Sequence, residues 1–245
     1  MLEGLNSAAA GMAAQQQRLD AVANDLANAN TTGYKHVRVG FRDLVYTQTG
    51  RSSAQGPQTG AGAAAVDAGR GFAQGALQRT EQPLDVAIQG DGFIRVRLSD
   101  GRQALTRDGS LKVDGAGRLV TSSGALVQPP ITLPAGTDPS RVAIGPDGTV
   151  LAAGQRVGRI ELVAVRSPQG LQPVGDNAFL ATPESGAARP APATTTLSQG
   201  ALEMSNVDMA DAMVAMIESQ RAFQLTSKAI QTQDQMWEIA NGVKR

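Results

Sequence analysis

Apolar residues return every seventh position at both ends of this chain, a pattern the middle lacks. Near the N-terminus they are Leu5, Met12, Leu19 and Leu26, with Ala8, Ala9, Val22 and Ala23 beside them. Near the C-terminus they are Met209, Met216, Phe223, Ile230 and Trp237, flanked by Met213, Ile217 and Ile239. A period of seven brings side chains back to one face of an α-helix, so each end is expected to be a helix with an apolar seam. Asn6, Gln16, Gln17, Arg18, Asp20, Asn24 and Asp25 cover the other faces of the first helix. Asn28 to Gly33 leave the helical conformation readily, which ends that helix near Ala29. Ser205, Asn206 and Asp208 offer capping oxygens for a second helix over about 207–241. At 1.5 Å rise per residue the two helices are roughly 40 and 50 Å long.

An apolar stripe ordinarily faces the interior of its own molecule, so one reading packs these helices on each other or on the middle of the chain. Gln15, Gln220 and Ser227 at d-like positions make the seam softer than a stable two-stranded coil prefers. The other reading therefore gives the helices neighbours from further copies.

The middle reads differently. Residues 49–76 are rich in Gly, Ala, Ser and Gln and bury little, so they are expected to be extended or loose until something packs on them. From Leu84 to about Leu180, short apolar runs such as Val86-Ala87-Ile88, Phe93 to Leu98, and Ile160 to Val165 predict strands. Alternation over Phe93 to Leu98 puts Phe93 on the face opposite Ile94, Val96 and Leu98. Asp91-Gly92, Asp100-Gly101, Asp108-Gly109, Asp114-Gly115 and Asp147-Gly148 are expected at tight turns, with glycine supplying positive φ. The expected class is α+β: long terminal helices forming a coiled-coil-like assembly core, with a central, mainly antiparallel β domain. The segments are an assembly helix at 1–35, a connector at 36–83, the β domain at 84–182, a linker at 183–200 and a second assembly helix at 201–245.

Composition removes several functions. Lysine plus arginine (22) balances aspartate plus glutamate (22), which disfavours nucleic acid as the main ligand. No cysteine and a single histidine, His36, leave no basis for a zinc site or a catalytic triad. The Asp-Gly pairs do not form a calcium loop, and Gly90-Asp91-Gly92 lacks the Lys-Ser/Thr of a phosphate cradle. Asp85 and Asp91 have no general-acid partner in view. No catalytic, cofactor-binding or metal-ligating residue is assigned, and no small-molecule substrate is expected. Aromatic residues are 3% of the chain, too few for the pockets that binding proteins build from Tyr and Trp. Pro129, Pro130 and Pro134 interrupt the uncharged stretch from Leu119 to Thr137, so it is not expected to span a membrane. Met1-Leu2-Glu3-Gly4 opens without a basic region or an apolar run, so no cleaved signal is expected.

Several strings resemble the flagellar rod and hook proteins. Leu19-Asp20-Ala21-Val22-Ala23-Asn24-Asp25-Leu26-Ala27-Asn28-Ala29-Asn30-Thr31-Thr32-Gly33-Tyr34-Lys35 is similar to that family's N-terminal signature, although the family more often has Asn where Asp25 stands. Asp85 to Phe93 and Thr106-Arg107-Asp108-Gly109-Ser110 resemble its β-domain motifs, and Leu202-Glu203-Met204-Ser205-Asn206-Val207-Asp208 resembles the lead-in to its C-terminal helix. Phe41-Arg42-Asp43-Leu44-Val45-Tyr46 and Asp234-Gln235-Met236 are more similar to distal rod subunits than to proximal rod or hook subunits. The resemblance implies a homo-oligomer in a helical tube, exported unfolded through the flagellar export apparatus without a cleaved signal. It also implies other rod and hook subunits and surrounding ring proteins as partners, in a basal body spanning the cell envelope. The terminal helices would order on assembly into the inner tube, with the β domain outside. The alternatives are a proximal rod or hook-type axial subunit, or a secreted binding protein with coiled-coil ends.

Overall fold

In the computed structural model, the described residues are 2–44, 46–48 and 58–242. Residues 49–57 of the Gly/Ala-rich stretch and 243–245 lie outside them. The N-terminal heptads form helix α1 (Leu2–Ala27) and the C-terminal heptads form helix α2 (Met209–Gly242). Helix α1 ends two residues earlier than the sequence suggests. Asn28 starts a turn in which its carbonyl accepts the Thr31 N–H at 3.1 Å and its side chain accepts the Thr31 hydroxyl at 3.1 Å. Of the three capping candidates Asp208 caps α2, its carboxylate accepting the N–H groups of Ala210 (2.8 Å) and Asp211 (3.2 Å).

The described residues fall into two compact units. The helical unit holds those of 1–27, 37–68 and 208–245. Within it α1 and α2 pack on one another, and Arg18 Nη2 lies 3.4 Å from Glu218 Oε2 between them. Strand Val37–Asp43 pairs with Ala63–Arg70, and Tyr46–Gln48 pairs antiparallel with Gln58–Gly60. Within the Gly/Ala-rich stretch, Gln58–Gly60 and Ala63–Arg70 are thus extended and paired, while residues 71–76 belong to no strand. Strand pairing satisfies backbone N–H and C=O groups without bulky side chains.

The β unit holds residues 28–36 and 69–207. Its main sheet runs, in spatial order, Gln172–Gly175, Ala178–Leu180, Gln103–Thr106, Phe93–Arg97, Leu126–Val127, Leu119–Thr121 and Leu111–Val113. Leu162–Ala164 joins the sheet by pairing with Phe93–Arg97 and also with Arg189–Pro190. A three-stranded sheet comprises Val142–Ile144, Thr149–Ala152 and Gln155–Arg159. Val86–Gln89 pairs with Thr196–Gln199, and Leu77–Arg79 pairs with Ala201–Glu203. All of these pairings are antiparallel. The stretch read as a linker, 183–200, therefore carries Arg189–Pro190 and Thr196–Gln199 as paired strands.

The alternation over Phe93 to Leu98 holds. Ile94 and Val96 join the larger apolar cluster with Ile88, Leu119, Val127, Ile131 and Val150, and Leu98 packs against it. Phe93 joins a second cluster with Leu105, Val163, Leu171 and Phe179. Phe72 meets Phe93 and Phe179 edge-on, with ring centroids 5.5 and 5.3 Å apart. Three of the chain's five phenylalanines are spent on this one cluster.

Two of the five Asp-Gly pairs behave as expected, with Gly101 and Gly148 at φ 86° and 87°. At Asp91-Gly92 and Asp114-Gly115 the positive φ belongs instead to Gly90 and Gly117. Asp108-Gly109 is not a tight turn. Gly109 lies against the next strand, where an added Cβ would stand 1.6 Å from the Val86 carbonyl oxygen, so glycine serves close approach there.

Candidate functional site: the terminal helices and a buried ion cluster

Seven-residue spacing keeps one face of each helix turned the same way, and the seam residues follow it. Leu5, Met12, Leu19 and Leu26 are all half-buried on α1. On α2, Met216 and Ile230 are half-buried, Phe223 and Trp237 keep 37% and 40% of their surface exposed, and Met209 keeps 52%. The covered face of α2 is completed by Ala212, Ser219, Thr226 and Gln233, three or four residues from the apolar line. Gln220, read as a d-like position, is exposed, and its neighbour Ser219 is buried instead. Polar residues are tolerated there because they bond their own helix. The Ser219 hydroxyl donates to the Ala215 carbonyl at 2.8 Å, and the Thr226 hydroxyl donates to the Ala222 carbonyl at 2.9 Å.

At 100° per residue, Val214, Ile217, Leu225 and Ile239 fall on the far side of α2 from the covered stripe, and Met213 and Met236 fall on its flanks. Each is 51–72% exposed. Helix α2 thus leaves six large apolar side chains in water outside its covered stripe, interspersed with exposed Arg221, Lys228 and Gln235.

The β unit holds a feature that periodicity did not disclose. Lys35, Arg107 and Glu203 are charged, far apart in sequence, and dry, with side-chain exposures of 0%, 2% and 0%. Lys35 Nζ lies 2.5 Å from Glu203 Oε1, and Arg107 Nη1 lies 3.1 and 3.3 Å from the two carboxylate oxygens. The carboxylate also accepts the Gly75 N–H at 2.9 Å. Further donors are met by carbonyls, Lys35 Nζ reaching Ala73 at 2.8 Å and the Arg107 guanidinium reaching Gly92 (3.0 Å) and Gly90. Burial pushes the Lys35 ammonium below the usual lysine range; Glu203 opposes that shift and Arg107 adds to it.

Asn206 fastens the same neighbourhood. It accepts the His36 N–H at 2.9 Å and donates to the carbonyls of Gly71 (2.7 Å) and Ala73 (3.0 Å). His36 therefore serves local structure. Asp108 binds Thr32 Oγ1 (3.2 Å), the Ser110 N–H (3.0 Å) and Ser122 Oγ (2.9 Å). The segments that continue into α1 and α2, residues 28–36 and 201–207, are thus pinned to the β unit by charge and hydrogen bonds. Lys35, Arg107 and Glu203 each stand inside a string singled out above, but a charged residue in a loop string gives no periodic sign of burial.

Comparison with known proteins follows the same division. Residues 5–35 match a family described as flagella basal body rod protein. Residues 87–152 match the flagellar hook protein FlgE/F/G D1 domain, and residues 198–243 match the C-terminal region of the flagellar basal body rod FlgEFG proteins. The flagellar basal-body rod protein FlgG of Borreliella burgdorferi is 42% identical over the full length of both chains. The FlgG of Bacillus subtilis is 37% identical over the full length of both, and that of Caulobacter vibrioides 37% identical over 99% of this chain and all of the other. The chain belongs to the flagellar basal-body rod protein family. It is a structural rod subunit rather than an enzyme, and it sits in the flagellar basal body with other rod and hook subunits. Relatives of full length disfavour the alternative of a secreted binding protein with coiled-coil ends. Each matched segment contributes one corner of the ion cluster: Lys35, Arg107 and Glu203 in turn. No helix among the described residues is long and apolar enough to cross a membrane.

Proposed function

We propose that this rod subunit polymerises in the distal rod, building a hollow, torque-transmitting axial tube through the cell envelope. The observation that carries the proposal is the set of large apolar side chains that α2 leaves in water outside its covered stripe, Met213, Val214, Ile217, Leu225, Met236 and Ile239. Leaving them wet forgoes the gain from apolar burial, and neighbouring copies supply that burial in a tube. In this reading the seam residues Leu5, Met12, Leu19, Leu26, Met209, Met216, Phe223, Ile230 and Trp237 order the wall, and the far side of α2 meets the next copies. Passage through the export apparatus without a cleaved signal and contact with the ring proteins belong to the same proposal.

The test is a concentration series of the purified chain, followed by sedimentation and negative-stain electron microscopy. Ordered tubes at high concentration are expected, and Ile217→Lys with Leu225→Lys should abolish them. A monomer that stays monomeric at every concentration, or tubes that survive the double change, would reject this role for α2.

A further inference from the structure

We propose that Glu203 is the closing residue of the β unit: the charge balance it supplies decides whether the unit can dry its centre. Lys35 and Arg107 are both basic and both withdrawn from water, and among the described residues Glu203 holds the one carboxylate bonded to the pair. The carbonyls of Ala73, Gly90 and Gly92 accept further N–H groups from the pair but carry no formal charge. Without Glu203 two like charges would be buried together, an arrangement whose cost far exceeds that of an exposed charge.

Glu203 also joins the unit's separate stretches. Its carboxylate takes the Gly75 N–H, and its backbone carbonyl takes the Gly33 N–H at 2.8 Å. Next to it, the Met204 N–H reaches the Ala76 carbonyl at 2.9 Å. Closing the unit therefore fixes residues 33–36 and 203–206 together. A chain emerging N-terminus first presents both cations long before the carboxylate. Its β unit stays open at this point until residue 203 has arrived.

The experiment is amide hydrogen exchange on the full chain and two variants. Glu203→Gln keeps the size and one acceptor oxygen but removes the charge. Exchange at Gly33, Gly75 and Met204 should accelerate by about a hundredfold or more, as breaking a buried ion pair implies. Adding Lys35→Met to Glu203→Gln removes one of the two stranded cations and should restore most of the protection, even if Glu203→Gln alone does not fold. Wild-type protection in Glu203→Gln would overturn the proposal. So would a double variant as unprotected as the single one, because the cluster's role would then be shape and hydrogen bonding rather than charge balance.

Discussion

Among the described residues of the helical unit, the buried side chains are Ala14, Asp25 and Ser219, one small and two polar. In the β unit, Val86, Ala87, Ile88 and Ile94 have no exposure at all, and more than a dozen further apolar residues close around them. The two units come from one chain, yet among the described residues only the β unit has a dry apolar core. Apolar burial is the main favourable term in folding, so the β unit carries the means of its own stability. The helical unit has long helices, half-covered seams and exposed apolar side chains beyond them, and in the proposed tube it would gain the missing burial from other copies. That difference yields predictions in which one kind of substitution acts on folding in one unit and on assembly in the other.

The largest expected effect is at Gly109. Its added Cβ would stand 1.6 Å from the Val86 carbonyl oxygen, and backbone cannot yield there without breaking the bond from the Val86 N–H to the Gly109 carbonyl. Gly109→Ala should destabilise the β unit by more than about 3 kcal/mol, read by denaturant unfolding. The same change at Gly11 in α1 meets nothing within 4 Å and should stabilise the helix by about 0.5–1 kcal/mol. Equal responses at the two positions would break the contrast between the units.

Phe223→Asp comes next. It places a carboxylate on the covered stripe of α2, and an unpaired charge in a dry interface costs several kcal/mol in every copy of a polymer. Thermal unfolding of the β unit should be unchanged, and a strain carrying only this version should not swim. Gln224→Glu and Gln231→Glu, at exposed positions, are the mild controls. Loss of the β transition in Phe223→Asp would show that α2 is part of the β unit's core.

A matched pair of isoleucines sharpens the comparison further. Ile88 is fully buried and Ile239 is 67% exposed. Ile88→Ala should cost the β unit about 3 kcal/mol in chemical unfolding. Ile239→Ala should leave the monomer within about 0.5 kcal/mol of the parent while raising the concentration needed for tube formation.

How far these features were legible in the sequence follows the same line. Helical seams announce themselves because Leu5 to Leu26 and Met216 to Trp237 repeat with the period of the helix. The two faces of Phe93–Arg97 were legible because alternation has a period of two. The Ala63–Arg70 strand was not, since alanine has little strand preference and its partner strand lies elsewhere in the chain. Ser219, Thr226 and Gln233 were hidden for another reason. Polar residues on a covered stripe are satisfied by helix carbonyls or packing that no pattern of hydrophobicity records. Lys35, Arg107 and Glu203 became a site only when the fold brought three distant strings together.

Acid should act on the β unit through its turns. Backbone N–H groups of Arg102, Arg118 and Ser140 hold the carboxyls of Asp100, Asp114 and Asp138 below their usual value near 3.8, and the Thr149 hydroxyl does the same for Asp147. A lowered folded-state value means that the unfolded chain binds more protons, so this stabilisation is complete above the usual value and is lost as pH falls through the lowered ones. The β unit should therefore weaken below about pH 4, where the unfolded carboxylates begin to take up protons. Replacing the four aspartates by Asn should flatten that part of the stability profile, and an unchanged slope would show that the turn bonds do not set it.

The smallest expected effect is at Asp25, where this chain departs from the Asn more common in similar strings. Asp25 is 7% exposed, and its two carboxylate oxygens lie 3.0 and 3.3 Å from the Val37 N–H, tying the last turn of α1 to the start of the following strand. The bond needs an acceptor, and an Asn side-chain oxygen is also an acceptor. Asp25→Asn should therefore shift the stability of the helical unit by only about 0.5 kcal/mol. Asp25→Ala leaves the Val37 N–H without that partner and should cost about 1–3 kcal/mol. Amide exchange at Val37 separates the outcomes: protection kept in the Asn variant and lost in the Ala variant assigns the residue to capping this junction. Equal loss in both would mean that the negative charge itself is required, and that Asp25 holds the junction by more than hydrogen bonding.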